Sequence, residues 1–298
     1  MMILRKKILE RYPDTKFNDA GLSLNGRPLI DFLSGCEKAV TALEIIDERI
    51  LSALPKLKVI GKYGVGIDMI NLDAMDRHGV KLGWTGGVNK RSVSELVVSS
   101  AVSLMHRAVF ASSEVNNGKW YQVKGRQLSD CTFGIIGCGH VGKDLVGLLK
   151  PFCCKVLSYD ILDFPDFYRE NDVRPVGIEE LLQKSDVVTL HLPLDDSTIN
   201  IISAERLEMM KDGAVLINLA RGGLIDEHQL VQSLKSKKLS GAAIDVFTKE
   251  PPILSDFSGL DNVLITPHIG GSTEEAILAM GLSAINGLDN GKDPLTYL

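Results

Sequence analysis

Three side chains suited to moving a proton and holding a carboxylate stand after three consecutive β-rich runs. They are Arg221 after "GAVLINLA", Glu250 after "GAAIDVF" and His268 after "NVLITP". Histidine exchanges a proton near neutrality and is the natural base for the hydroxyl of a secondary alcohol. A carboxylate hydrogen-bonded to the imidazole orients it and favours its protonated form. A guanidinium grips a carboxylate in a two-pronged geometry that lysine cannot copy. Taken singly, each residue has an ordinary reading: Arg221 beside a surface turn, Glu250 in a solvated loop before two prolines, His268 as a packed histidine. Standing one per crossover on one sheet edge, they read as a set, with His268 the proton carrier, Glu250 its orienter and Arg221 the anchor for a carboxylate.

That reading needs a parallel sheet to present them. Short β-rich runs alternate with helical patterns along the chain, the signature of a βα architecture. In the first third, "KAVTAL" (38–43), "LKVIGKYG" (57–64) and "VKLGWT" (80–85) read as strands, with Asp47 as an N-cap and Gly79 as a helix stop. Residues 92–108, "SVSELVVSSAVSLMHRA", have no Gly or Pro and are apolar nearly all round, which predicts a mostly buried helix. Six further strands follow, in "CTFGIIG", "CKVLSYD" (154–160), "DVVTLHLPL" (186–194), "GAVLINLA" (213–220), "SGAAIDVF" (240–247) and "NVLITP" (262–267). With helices between them they describe a doubly wound nucleotide-binding domain. A last helix is expected from Ser272, which has capping-box spacing to Glu275. Ligands of such sheets bind beyond the strands' C-terminal ends. His191 and Pro193, Asp245, and Gly270-Gly271 belong to that edge.

The edge also carries a dinucleotide fingerprint. Gly137, Gly139 and Gly142 follow a strand and open the helix "HVGKDLVGLLK", and a second strand ends in Asp160 about two dozen residues on. Gly137 permits the tight turn, Gly139 lets the backbone approach a pyrophosphate, and Gly142 lets helix and strand pack closely. The helix N-terminus faces the phosphate charge. A carboxylate at 160 accepts from the adenosine ribose hydroxyls and repels a 2′-phosphate, which favours NAD over NADP.

Length and composition agree with a two-domain enzyme. A chain of 298 residues, 45% hydrophobic and 24% charged, is long for one core and ordinary for a globular enzyme. A net charge of −5 without a Lys/Arg block argues against a nucleic-acid partner. No apolar run approaches the ~20 residues of a membrane helix. The opening "MMILRKKILERYP" lacks the apolar centre of a signal peptide. Five cysteines without metal-like or redox spacing predict neither a disulfide framework nor a metal site, and a cytoplasmic location.

Taken together, the chain resembles the D-isomer-specific 2-hydroxyacid dehydrogenases, with D-3-phosphoglycerate dehydrogenases as the nearest look-alikes. The resemblance rests on "GKYGVGIDMINLDA", "NKRSVSELVVSSAVSLM", "FGIIGCGHVGKDL", "SDVVTLHLPLDDST", "LINLARGGLIDE", "GAAIDVFTKEPP" and "NVLITPHIGGST", in one order over most of the chain. It implies an NAD-dependent oxidoreductase that interconverts a D-2-hydroxy acid and its 2-oxo acid. It also implies a Rossmann-type domain, residues 91–274, inserted into a flavodoxin-like substrate domain, residues 1–90 plus 275–298. Arg221 would bind the substrate carboxylate, and Glu250 would pair with His268, the general acid/base. The backbone amides of Tyr63, Gly64, Val65 and Gly66 would hold the carboxylate as well. Cofactor contacts would fall on His140 and Val141 of the glycine loop, Asp160, and the Leu219-Ala220-Arg221 segment. Asp245 would reach the nicotinamide amide, with Gly270 and Gly271 beside it. Members are usually homodimers through the helix that starts near Ser92.

Three departures bear on that carry-over. Thr41 stands where phosphoglycerate dehydrogenases tend to place an arginine, although Lys62 sits where another phosphate-binding residue is expected. The chain stops at "PLTYL", so a C-terminal regulatory domain and its serine feedback are not expected. Only "MMIL" precedes "RKKILERYP", which makes the usual first strand very short or missing and the substrate domain's sheet incomplete. Two other functions use the same scaffold. One is a dinucleotide-sensing regulatory protein, which can retain the Arg, Glu and His set. The other is a phosphite- or formate-type dehydrogenase, whose formate branch usually carries Gln where this chain has Glu250.

Overall fold

The computed structural model describes residues 2–120 and 122–297, and of Leu254 the backbone only. They form two compact units: the chain up to Asn89 together with Thr273 onward, and Lys90–Ser272.

The first unit opens with α1 (Met2–Arg11) and α2 (Arg27–Leu33), followed by β1 (Lys38–Thr41), α3 (Glu48–Ser52), β2 (Val59–Lys62), α4 (Leu72–Arg77) and β3 (Lys81–Gly83). The strands pair in parallel in the order β1-β2-β3. Asp47 caps α3 as expected, its carboxylate accepting the Ile50 N–H at 2.9 Å. Gly79 ends α4 with a positive φ of 65°. The first strand is absent among the described residues, because residues 2–11 are helical. The run "RKKILER" is made of long, mostly unbranched side chains that favour helix over strand. The sheet is therefore smaller than a complete flavodoxin-like one.

The second unit is doubly wound. In chain order it contains α5 (Lys90–Met105), α6 (Ala108–Asn116), β4 (Thr132–Ile136), α7 (His140–Leu149), β5 (Lys155–Tyr159), α8 (Pro165–Asn171) and β6 (Val173–Pro175). These are followed by α9 (Ile178–Lys184), β7 (Val187–Leu190), α10 (Ala204–Met209), β8 (Ala214–Asn218), α11 (Glu227–Lys235), β9 (Leu239–Ile244) and β10 (Val263–Ile265). The parallel sheet runs β10-β9-β8-β7-β4-β5-β6, so the winding reverses between β4 and β7. Strands such as β7 and β8 are buried along their whole length, which is why they read as unbroken apolar runs. One sheet face packs Ile136, Val188, Leu190, Leu216 and Ile244 with residues of α9, α10 and α11. The other packs Phe133, Ile135, Val187, Val215 and Ile217 with α5, α7 and α8.

Three details differ from the sequence expectation. A seventh strand, β6, lies at the sheet edge, where its Pro175 needs no ladder donor. The helix expected over 92–108 starts two residues earlier and ends at Met105. Arg107 then turns left-handed (φ 56°) and α6 begins. Its core face is buried as expected, through Val93, Val97, Ala101 and Met105, while Glu95 and Ser99 face solvent. Finally, α12 (Glu274–Asn290) is capped by Thr273 rather than Ser272; the Thr273 hydroxyl accepts the Ala276 N–H at 3.2 Å. Ser272 is already taken up in a turn, its N–H donating to the Ile269 carbonyl at 2.9 Å.

Candidate active site

Arg221, Glu250 and His268 follow β8, β9 and β10, three adjacent strands of the second unit's sheet. Each loop is shaped by short local bonds. At the end of β8, Asn218 is buried; its Oδ1 accepts the Ala220 N–H at 3.1 Å and its Nδ2 donates to the Arg221 carbonyl at 2.8 Å. This curl presents the half-buried Arg221, whose Nη1 donates to the Ala220 carbonyl at 2.7 Å. Gly222 then lies flat on the next loop. A Cβ there would stand 2.0 Å from the Phe247 carbonyl group, so no larger residue fits.

At the end of β9, Asp245 is 1% exposed and its carboxylate accepts three bonds. Its carboxylate accepts the Thr266 hydroxyl at 2.6 Å and the N–H groups of Ile269 and Gly270 at 2.8 Å each. The Asp245 carbonyl accepts the His268 N–H at 2.9 Å. His268 itself adopts a left-handed backbone (φ 55°), which costs on the order of 1–3 kcal/mol outside glycine. Bonds on both sides of the residue over-determine that conformation.

The outcome is an oriented imidazole–carboxylate pair. His268 Nδ1 lies 2.8 Å from Glu250 Oε2, and Glu250 Oε1 accepts the Phe247 N–H at 3.1 Å. Facing a carboxylate, Nδ1 carries the ring proton, which leaves Nε2 with a lone pair. Nε2 has no partner among the described residues. The two side chains are 52% and 38% exposed, so the pair adds little to stability and its effect is orientation.

The dinucleotide loop has the shape its glycines foretell. Gly137 has φ 99°, and its N–H donates to the Tyr159 carbonyl at 2.8 Å. A Cβ on Gly142 would stand 2.2 Å from the Gly137 carbonyl oxygen, whereas one on Gly139 would meet nothing within 4 Å. Two of the glycines thus serve the fold, and the third leaves open space over the start of α7. Asp160 closes the loop from β5: Oδ2 accepts the Cys138 N–H at 2.5 Å and Oδ1 the Leu162 N–H at 2.9 Å. Each oxygen keeps a second lone pair. His140 is exposed and Val141 half-buried at the first turn of α7. His191 continues β7, its N–H bonded to the Ile136 carbonyl at 2.7 Å. Burial pushes its imidazole down to about 3, so it stays neutral. Pro193 accepts the Thr198 hydroxyl at 2.8 Å, and Leu219 is buried beside Ala220. Open space at Gly139, a helix N-terminus and an acid after β5 are what a dinucleotide requires, so these residues fit NAD.

Several supporting residues carry no sequence signal of their own. Ser92, in the first turn of α5, donates to the Gly270 carbonyl at 2.6 Å, and Ser94 to the Val141 carbonyl at 3.3 Å. One helix start thus ties the loop after His268 to the dinucleotide loop. Small serines on an otherwise apolar helix were the only hint.

In the first unit, Lys62 ends β2 and is 2% exposed. Its ammonium donates to the carbonyls of Ala42 and, at 2.9 Å, Tyr63. Thr41, its register partner on β1, is buried, and its hydroxyl has no partner among the described residues. The Tyr63–Gly66 turn is half-buried, with Gly64 at φ 107° and the Val65 carbonyl accepting the Trp84 indole N–H at 3.1 Å. Among the described residues no His, Cys, Asp and Glu cluster could hold a metal ion.

Residues 98–270 match the family described as D-isomer specific 2-hydroxyacid dehydrogenase, NAD binding domain. The chain is 36% identical over 240 residues to a D-3-phosphoglycerate dehydrogenase of Archaeoglobus fulgidus, covering 80% of this chain and 46% of the relative. It is also 36% identical to a hydroxypyruvate reductase of Thermotoga maritima, covering 79% of this chain and 78% of that one. The chain spans about half the length of the curated phosphoglycerate dehydrogenases it matches. Among solved structures, D-lactate dehydrogenase of Aquifex aeolicus, complexed with NAD and lactic acid, superposes with a TM-score of 0.83 at 27% identity, over 95% of this chain and 91% of that one. The chain belongs to the D-isomer-specific 2-hydroxyacid dehydrogenase family.

Proposed function

We propose that the chain is an NAD-dependent dehydrogenase that interconverts a D-2-hydroxy acid and its 2-oxo acid. The observation that carries this is the 2.8 Å contact of His268 Nδ1 with Glu250, which leaves Nε2 to exchange a proton. In the oxidative direction Nε2 takes the substrate's hydroxyl proton; in reduction it returns one to the carbonyl oxygen. Glu250 keeps the ring oriented and stabilises the imidazolium. Arg221 anchors the substrate carboxylate; in the first unit, the amides of Tyr63, Gly64, Val65 and Gly66 are the candidate substrate-binding groups. NAD, when bound, supplies the hydride acceptor or donor. Gly137, Gly139, His140, Val141, Gly142 and Asp160 would hold its phosphates and adenosine. His191, Pro193, Leu219, Ala220, Asp245, Gly270 and Gly271 would line its nicotinamide half. Lys90–Ser272 is then the cofactor domain and the remainder the substrate domain.

A non-phosphorylated substrate is favoured. Two donors of the Lys62 ammonium are engaged by backbone carbonyls, and Thr41 offers a neutral hydroxyl where a phosphate would need a cation. A homodimer and a cytoplasmic location complete the reading. Helix α6 buries no residue, Val109 and Val115 on it are exposed, and Trp120 just beyond is 87% exposed. An apolar surface of this kind fits a second copy. All five cysteines are free thiols, as in a reducing compartment.

The test is the initial rate of NADH oxidation with glyoxylate, pyruvate, hydroxypyruvate, 2-oxoglutarate and 3-phosphohydroxypyruvate. Turnover is expected, with an unphosphorylated acid ahead of the phosphorylated one. NADH binding without turnover of any of these acids would overturn the reading in favour of a dinucleotide-sensing regulator or an inorganic substrate.

A further inference from the structure

Glu250 stands on an exposed loop, yet its carboxylate must meet His268 within tenths of an ångström. Residues 248–250 are all exposed, so the core does not hold them directly. Their grip comes from two sides. On one side Gly222, next to Arg221, packs against the Phe247 carbonyl and the Thr248 nitrogen. On the other, Glu227 in the first turn of α11 accepts two bonds with a single oxygen. Its Oε1 takes the Thr248 N–H at 2.6 Å and the Thr248 hydroxyl at 2.7 Å. Phe247, just before, is buried against Phe257 with ring centroids 5.8 Å apart. Thr248 is thus clamped between the residue that follows Arg221 and a carboxylate on another element.

We propose that Glu227 is a positioning residue, which through Thr248 sets the 247–250 segment so that Glu250 meets His268. The proposal rests on the dehydrogenase reading above. Glu227 forms no ion pair among the described residues, so its charge is not committed elsewhere. A carboxylate at a helix N-terminus is favoured by the helix dipole, and charge-assisted bonds to a loop amide are short and directional. Removing them frees the segment that carries Glu250 without touching substrate or cofactor. Glu227 also borders an open cavity of about 420 Å³, lined further by Val231, Lys235, Ile253 and Phe257. A shorter side chain there opens to solvent instead of leaving a sealed void, and alanine is a strong helix former.

The experiment compares Glu227→Ala with Glu227→Gln in the full chain, alone and combined with His268→Asn. Gln keeps an Oε1 acceptor for both Thr248 donors, whereas Ala removes it. For the best 2-oxo acid, Glu227→Ala is expected to lower kcat roughly 10- to 100-fold, the scale of a displaced catalytic group. NADH affinity should be retained, and Glu227→Gln should stay near wild type. Combined with His268→Asn, Glu227→Ala should add little, because both act on one proton path. An unchanged kcat in Glu227→Ala, an equal loss in Glu227→Gln, or a fully additive loss with His268→Asn would overturn the proposal. A wild-type chain that turned over no 2-oxo acid would overturn the dehydrogenase reading and this proposal with it; that result is read before any variant is made.

Discussion

The carboxylate of Asp245 accepts the backbone N–H of Gly270 at 2.8 Å, so the end of β9 holds the chain just past His268. The same carboxylate takes the Ile269 N–H and the Thr266 hydroxyl. Asparagine offers one acceptor oxygen and turns an NH₂ group toward a donor. Asp245→Asn should therefore leave at least one buried amide unpaired, at about 1–3 kcal/mol. Tm is expected to fall by several degrees, with kcat reduced as His268 loses its support. A thermal melt that matches wild type would show that the three bonds do not hold the loop.

Two glycines of the dinucleotide loop should respond differently to the same added methyl. A Cβ on Gly142 collides with the Gly137 carbonyl oxygen at 2.2 Å, while one on Gly139 enters open space. Gly142→Ala should cost about 1–3 kcal/mol of stability by overpacking and weaken NADH binding as well. Gly139→Ala should keep Tm and lose NADH affinity, because only the ligand needs that space. Melts paired with NADH fluorescence titrations separate the two. Equal stability losses would contradict the division between a packing glycine and a ligand glycine.

His191 couples stability to pH. Burial holds its pKa at about 3 in the folded chain, against an ordinary value near 6.5 for a histidine. The unfolded chain takes up the proton first, so this contribution is whole above pH ~6.5 and is lost as pH falls toward 3. Tm of the wild type should drop between pH 7 and 5 more steeply than that of His191→Asn. Parallel slopes would show that His191 is not the group responsible.

What the sequence revealed, and what it hid, follows from the range of the forces involved. Strand–helix alternation, Gly137, Gly139 and Gly142, and the placement of Arg221, Glu250 and His268 after successive strands were all readable, because pattern and turn chemistry are local. The edge strand β6 was not, since three residues ending in a proline carry no periodicity. Residues 2–11 are helical, in line with the expectation that the usual first strand is very short or missing. The break at Arg107 lay inside a sequence that favours one long helix. Least readable were bonds between distant segments. Asp245 holding Ile269 and Gly270, Ser92 reaching Gly270, and Glu227 gripping Thr248 all join residues that become neighbours only once the sheet has formed. Asp160 was expected as a ribose acceptor, and its bond to the Cys138 amide was not foreseen.

The central claim is that His268 moves the proton, and the direct measurement is steady-state turnover of His268→Asn beside its NADH dissociation constant. Loss of a general acid/base should lower kcat by about 10²–10⁴-fold while NADH affinity stays near that of the wild type. A His268→Asn chain that turns over 2-oxo acids at close to the wild-type rate would contradict the account.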